Sequence, residues 1–144
     1  MKRVLNIISH SEAETEALAK KLSAGFTPKD VILLLGKLGS GKTVFVRGLA
    51  AGLGLESDMV SSPSFTIVNE YKGKNDLYHF DLYRIGEPEE LYEIGWEDYL
   101  KRNGLVVVEW GKRAAEFLPP NYYQIEFIIR NEQEREINIS LIHS

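Results

Sequence analysis

Two segments of the chain are apolar at every position, whereas most others mix apolar and polar residues. Residues 31–35 read Val-Ile-Leu-Leu-Leu between Asp30 and Gly36, and residues 105–108 read Leu-Val-Val-Val. A short, continuously apolar run is typical of a strand that is buried on both faces, in the centre of a parallel sheet. We therefore predict that these two segments are central strands.

Helical spacing of apolar residues predicts two helices, one over about residues 12–25 and one over about 42–53. The first opens with Ser11 and Glu14 in the arrangement of a capping box, and Pro28 ends it. Residues 87–102 also have helical character. This segment carries six acidic residues, Glu87, Glu89, Glu90, Glu93, Glu97 and Asp98, and is most simply a solvated helical face.

Alternating segments predict the remaining strands. Residues 65–71 and 76–84 flank one turn, residues 122–130 and 135–142 flank another, and residues 3–8 form a short strand. These elements indicate an α/β fold with a central, mostly parallel sheet, antiparallel hairpin additions and flanking helices. The length of 144 residues fits a single domain over residues 1–144.

The composition excludes several functions. There are 17 Lys and Arg against 21 Asp and Glu, which gives a formal net charge of −4. A mildly acidic chain is a poor nucleic-acid or membrane-surface binder on its own. Cysteine is absent, so disulfides, thiolate metal sites and a cysteine nucleophile are excluded. No apolar stretch is long enough to span a bilayer, and we expect a cytoplasmic protein without membrane contacts.

Residues 36–43 match the phosphate-binding pattern G-x-x-x-x-G-K-[ST] at every required position. The predicted buried strand before it and helix after it supply the expected context, so we predict a P-loop NTPase-like domain. The backbone amides of such a loop point at phosphate oxygens, and the helix N-terminus adds positive potential. Lys42 is expected to reach the β- and γ-phosphates, and the Thr43 hydroxyl to bind Mg²⁺. The predicted phosphate-binding residues are Leu38, Gly39, Ser40, Gly41, Lys42 and Thr43.

A P-loop nucleotidase also needs an acidic residue that holds or orients the magnesium ion, and two acids are candidates for this role. Glu109 directly follows the second buried strand, where it can face the metal ion or polarise the attacking water. Asp81 lies in the 78–84 segment, on the same strand face as His79. A solvated strand face explains Asp81 equally well. We therefore take Lys42, Asp81 and Glu109 as candidate catalytic residues, and Arg84 as a salt-bridge partner rather than an arginine finger.

The segment Ser62, Pro63, Ser64 and Phe65 lies between the P-loop helix and the first hairpin. This position often holds a switch loop that senses the γ-phosphate, although a proline-punctuated turn fits equally well. Trp110 follows Glu109 and is either a core residue or a cover for the site.

Absent motifs narrow the class of nucleotide-binding protein. There is no N-K-x-D guanine motif and no D-x-x-G switch, which argues against a GTPase. An arginine-rich kinase lid is also missing, because the corresponding region is acidic. An ATPase is favoured, and a small-molecule kinase or a non-catalytic nucleotide-sensing module remain as alternatives.

Four motifs occur together in one order: the P-loop, Ser62–Phe65, Tyr78–Arg84 and Val108–Trp110. In this the chain resembles the bacterial TsaE (YjeE) family, small ATPases of tRNA threonylcarbamoyladenosine biosynthesis. The resemblance implies a P-loop fold, binding of Mg²⁺ with ATP or ADP, and weak intrinsic ATP hydrolysis. It also implies that the chain acts with TsaD and TsaB, which modify adenosine 37 of tRNA. The chain would then contact tRNA only indirectly, through that complex.

The resemblance also implies roles for individual residues. Thr43 and Glu109 match magnesium-linked positions, Asp81 matches an acid important for activity, and Trp110 a residue beside the nucleotide. Ser62–Phe65 matches the switch segment. Ser11 and Thr15 match an N-terminal element near the base, which adds them to the predicted ATP-binding residues.

Overall fold

The computed structural model describes residues 2–63, 67–110 and 116–143, and in these parts of the chain seven strands form one mixed sheet. In chain order the strands are β1 (Lys2–Ser9), β2 (Val31–Leu35), β3 (Val68–Tyr71), β4 (Asp76–Asp81), β5 (Gly104–Glu109), β6 (Tyr122–Ile129) and β7 (Arg135–Ile142). Their spatial order is β1-β7-β6-β2-β5-β4-β3.

The helices flank this sheet. They are α1 (Glu12–Leu22), α2 (Lys42–Gly52), α3 (Glu89–Glu93) and α4 (Trp96–Lys101), with short 3₁₀ turns at Ser23–Gly25 and Ser57–Met59. None of the helices in the described ranges is long and apolar enough to cross a membrane.

The centre of the sheet is parallel and its edges are antiparallel. Strands β6, β2, β5 and β4 are parallel neighbours, whereas β1, β7 and β6 pair antiparallel at one edge and β3 with β4 at the other. The predicted α/β fold, with its parallel centre and hairpin additions, is confirmed. The two continuously apolar runs are central because both faces of β2 and β5 are covered.

Each face of the sheet carries its own apolar layer. On one face, α2 contributes Phe45 and Leu49, which pack with Ile32 and Val107 of the sheet, and α1 packs beside α2. On the other face, α3 and α4 contribute Leu91, Trp96 and Tyr99, which pack with Phe80 and Val108. The ring of Phe80 meets those of Trp96 and Tyr99 edge-on, both at 5.0 Å between centroids.

Two predicted helices differ from the observed ones. The helix predicted over 12–25 ends at Leu22 and continues only as the 3₁₀ turn Ser23–Gly25. The helix predicted over 87–102 is interrupted at Gly95, whose φ of 84° lies in the left-handed region, so α3 and α4 are separate. The predicted N-cap is present, because the Ser11 hydroxyl accepts a hydrogen bond from the Glu14 amide at 3.1 Å.

Candidate active site

The P-loop joins the carboxyl end of β2 to the first residue of α2. Gly39 and Gly41 have φ values of 81° and 104°, which residues with a side chain rarely adopt. The turn is closed by the Ser40 amide, which donates to the Lys37 carbonyl at 3.0 Å. α2 therefore starts at Lys42 with its N-terminus directed at the concave side of the loop, the arrangement that favours phosphate.

Lys42 is buried, and its ammonium is held by the loop and by Glu109. The Nζ atom donates to the Gly36 carbonyl at 2.7 Å and lies 3.8 Å from Oε1 of Glu109. Burial lowers the pKa of Lys42, and the carboxylates of Glu109 and Asp81 oppose that shift. A polyanionic ligand would add further negative charge, and would therefore favour the charged ammonium.

Asp81 and Glu109 are brought side by side by the parallel pairing of β4 with β5. They are register partners at the carboxyl ends of these strands, and each is 4% exposed. The alternative of a solvated strand face for Asp81 is therefore wrong. Sequence alternation could not distinguish the two cases, because it assigns Asp81 to a face of the strand but does not show whether that face is covered. Oδ1 of Asp81 accepts a hydrogen bond from the Tyr83 amide at 2.9 Å.

His79 lies two residues before Asp81 and is fully buried on the same face of β4. Its Nε2 atom is 2.5 Å from Oε2 of Glu109. Sequence analysis attached no function to His79, since its partner is 30 residues away in the chain. Only the order of the strands brings the two side chains together.

The indole ring of Trp110 packs against the ammonium of Lys42. The ring is 4.1 Å from Nζ of Lys42, measured to the ring centroid, and 5.0 Å from the ring of Tyr83. A cation beside an aromatic face is stabilised by the ring quadrupole. The backbone of Trp110 has a φ of 61°, uncommon for a bulky residue. Trp110 is thus a wall of the site, and its partly buried side chain also packs against the apolar layer on the α3–α4 face of the sheet.

Apart from His79, the side chains described above line one cavity of about 600 Å³. It contains five of the residues predicted to bind phosphate (Leu38, Gly39, Gly41, Lys42 and Thr43), both acids, Trp110 and Ser62. Ser40 is not part of the lining, because its side chain is completely buried beneath the loop. Glu12, Val44, Tyr83 and Arg84 complete the cavity. Arg84, predicted as a salt-bridge partner, therefore faces the same space as Lys42.

Ser11 and Thr15 line a second, adjoining cavity of about 360 Å³. It shares Glu12, Gly39, Gly41 and Val44 with the first cavity, and Glu132, Gln133 and Arg135 form its other side. Arg135 Nη2 also donates to the Gly39 carbonyl at 3.2 Å, which ties the β6–β7 turn to the P-loop. These three residues could not be recognised from the sequence, because they come from a hairpin turn far along the chain.

The predicted switch segment is only partly described. Ser62 lines the main cavity, and Pro63 is buried, with its carbonyl accepting from the Ile67 amide at 2.8 Å. Ser64 and Phe65 lie outside the described residues, so the switch remains a prediction.

Comparison with known proteins identifies the family. A model of the family described as "Threonylcarbamoyl adenosine biosynthesis protein TsaE" matches residues 9–137. The chain belongs to the TsaE family. A TsaE protein of Bacillus subtilis is 41% identical over 130 residues, covering 90% of this chain and 80% of that protein. One from Treponema pallidum is 34% identical over 136 residues, covering 94% of this chain and 100% of that protein.

A solved structure shows the same fold. The crystal structure of Bacillus subtilis YdiB superposes with a TM-score of 0.81 at 35% sequence identity, covering 100% of this chain and 88% of that one. The TsaE match includes the P-loop, both carboxylates, His79 and Trp110. The resemblance inferred from four short motifs is thus confirmed over most of the chain.

Proposed function

We propose that this TsaE-family chain binds ATP with Mg²⁺ in the 600 Å³ cavity and hydrolyses it slowly. The observation that carries the proposal is the meeting of the P-loop lysine with two buried carboxylates from neighbouring parallel strands. Lys42 lies 3.8 Å from Glu109, and Asp81 is the register partner of Glu109. A P-loop nucleotidase needs a cation that binds the phosphates. It also needs acidic residues that hold the metal ion and orient the attacking water.

The donor set fits magnesium. The Thr43 hydroxyl and the carboxylates of Glu109 and Asp81 line the same cavity, and all three are hard oxygen donors. In the described residues no group of three or more His, Cys, Asp or Glu side chains forms a metal cage. Mg²⁺ usually takes only one or two carboxylates and completes its shell with water and substrate phosphates. When bound, the ion would neutralise charge on the β- and γ-phosphates.

The residues of the chain supply orientation and charge. Lys42 would leave the Gly36 carbonyl and donate to the β- and γ-phosphates, while the loop amides hold the bridging oxygens. Glu109 or Asp81 would orient a water molecule in line with the γ-phosphorus. As the water oxygen bonds to phosphorus, the bond to the β–γ bridging oxygen would break, and the proton of the water would pass to that carboxylate or to a phosphate oxygen, so that ADP and phosphate leave. Trp110 covers Lys42, which reduces the access of other water molecules.

The pathway and partners rest on the relatives. The related proteins from Bacillus subtilis and Treponema pallidum are named tRNA threonylcarbamoyladenosine biosynthesis proteins. We propose that this chain serves the same modification, together with TsaD and TsaB in the cytoplasm, and that tRNA is held by the partners. The net charge of −4 supports this proposal, because a mildly acidic chain is a poor binder of tRNA on its own.

Two variants separate nucleotide binding from turnover. Lys42→Ala removes the phosphate cation, so nucleotide affinity and phosphate release should both be lost. Glu109→Ala should retain part of the affinity for ATP and lose turnover. Lys101→Ala and Glu97→Ala remove the same charges from exposed positions of α4 and should behave as wild type. Calorimetry with ADP and a phosphate-release assay measure the two quantities.

The outcomes distinguish the remaining alternatives. Turnover that survives Glu109→Ala would contradict the role given to Glu109. ADP formation that requires an added acceptor and yields a phosphorylated product would identify a kinase. Nucleotide binding with no turnover under any condition would identify a sensing module.

A further inference from the structure

His79 lies directly behind Glu109 and is absent from the cavity lining described above. It is 0% exposed, and its Nε2 atom lies 2.5 Å from Oε2 of Glu109. The other carboxylate oxygen, Oε1, is the one that lies 3.8 Å from Lys42. The two oxygens of Glu109 therefore have different partners, one in the core and one at the site.

The hydrogen bond has a defined direction. A carboxylate only accepts hydrogen bonds, so the hydrogen of this contact belongs to Nε2 of His79. The other ring nitrogen, Nδ1, is buried and has no hydrogen-bond partner among the described residues. A buried N–H without a partner is costly. The arrangement with hydrogen on Nε2 alone satisfies Glu109 and leaves no donor unpaired.

We propose that His79 is a positioning residue that holds Oε2 of Glu109 and so keeps Oε1 turned toward the cavity; this rests on the function proposed above. Without the imidazole, the carboxylate is free to rotate and to pair with Lys42 through both oxygens. Such a pair would occupy the lysine that the phosphates need and the oxygen that the metal ion or water needs. Partners behind a ligating group typically change metal affinity or activity 10–100-fold.

Two substitutions at the same position test the hydrogen bond. The amide nitrogen of glutamine reaches about as far from the backbone as Nε2 of histidine, whereas that of asparagine is one methylene shorter. His79→Asn should therefore lower kcat about 10–100-fold with little change in KM for ATP, because the P-loop still holds the phosphates. His79→Gln should recover most of the loss. Equal activity of the two variants would overturn the proposal.

A double-mutant cycle separates positioning from general damage. If His79 acts through Glu109, His79→Asn should cause no further loss of Mn²⁺ affinity of the ADP-bound chain in a Glu109→Gln background. Damage to packing alone would lower that affinity by the same factor in both backgrounds, and this result would overturn the proposal. Urea unfolding of each variant confirms that only folded protein is compared.

Two measurements do not depend on turnover. In the wild-type chain, ¹⁵N NMR of His79 should show hydrogen on Nε2; hydrogen on Nδ1 alone would overturn the proposal. The affinity of the ADP-bound chain for Mn²⁺ should fall about 10–100-fold in His79→Asn and recover in His79→Gln; an unchanged affinity would overturn it. Absence of phosphate release by wild type in every mixture would refute the proposed function, yet these two results would still decide the role of His79.

Discussion

Four side chains of the Lys, His, Asp and Glu types are almost completely buried in the part of the chain that the structure describes. They are Lys42, His79, Asp81 and Glu109, each 6% exposed or less. Burial of a charged group costs free energy unless the group is paired, and even a buried ion pair rarely adds net stability. All four lie at the carboxyl ends of the central strands or directly behind them. Their collection at one place is typical of a functional site.

A different buried group, Tyr99, has a structural role that can be measured. Its hydroxyl donates to Oε2 of Glu70 at 2.6 Å, and the guanidinium of Arg102 lies 4.3 Å from its ring centroid. Burial, followed by the hydrogen bond to Glu70, raises the pKa of Tyr99 to about 12. The protonated phenol is therefore favoured in the folded state.

The raised pKa of Tyr99 predicts a loss of stability at high pH. Its contribution is complete below pH of about 10, the ordinary value for tyrosine, and is lost as the pH rises to about 12. In that window one group changes the free energy of unfolding by up to about 1.4 kcal/mol per pH unit. Urea unfolding between pH 8 and 12 should show a smaller slope for Tyr99→Phe than for wild type. An unchanged slope would contradict this assignment.

At the scale of elements, α2 links the site to the core. Its first residue, Lys42, lies in the cavity, while Phe45, Val46 and Leu49 are fully buried against the sheet. α1 packs closely along α2, and a Cβ atom at Gly48 would lie 2.2 Å from the Glu16 carbonyl oxygen. The position of the P-loop lysine therefore depends on a close contact between two helix backbones.

Gly48→Ala should push α1 and α2 apart. Because the added methyl group meets backbone rather than a flexible side chain, we expect the free energy of unfolding to fall by about 1–3 kcal/mol. Gly25→Ala is the matched control, since no atom lies within 4 Å of a Cβ atom built there. It should change stability by no more than about 0.5 kcal/mol. Urea unfolding measures both, and equal effects would show that the contact between the helices is unimportant.

Sequence predicted the elements that depend on local pattern. The apolar runs of β2 and β5 identified central strands, and the P-loop was recognisable because its function resides in eight consecutive residues. The division of residues 87–102 into α3 and α4 was missed, because the helical pattern of apolar residues runs through Gly95, whose φ of 84° breaks the helix. Propensity alone does not determine such breaks.

At the scale of the whole molecule, the site depends on strand order. Placing β5 between β2 and β4 brings Glu109 beside both the P-loop and Asp81. Hydrophobic pattern does not determine which parallel strands are neighbours, so the contact of His79 with Glu109 and the second cavity with Arg135 could not be predicted. The four family motifs could be predicted, because the residues of each motif are contiguous in the sequence.

The cavity in which we expect the nucleotide to bind has exposed residues at its rim. Leu38 at the tip of the P-loop is 89% exposed and Tyr83 is 59% exposed, and both line the 600 Å³ cavity. Apolar groups at the rim of a site are suited to contact with another protein. A partner that covered this rim would exclude water and strengthen the electrostatic interactions inside. We therefore expect turnover to be slow in isolation and faster in the complex.

The most direct test is phosphate release from ATP with Mg²⁺ by the purified chain, alone and with its cognate TsaD, TsaB and tRNA. We expect slow release by the chain alone, marked stimulation by the partners, and loss of both in Lys42→Ala. Phosphate release that is absent in every mixture, or that persists unchanged in Lys42→Ala, would contradict it.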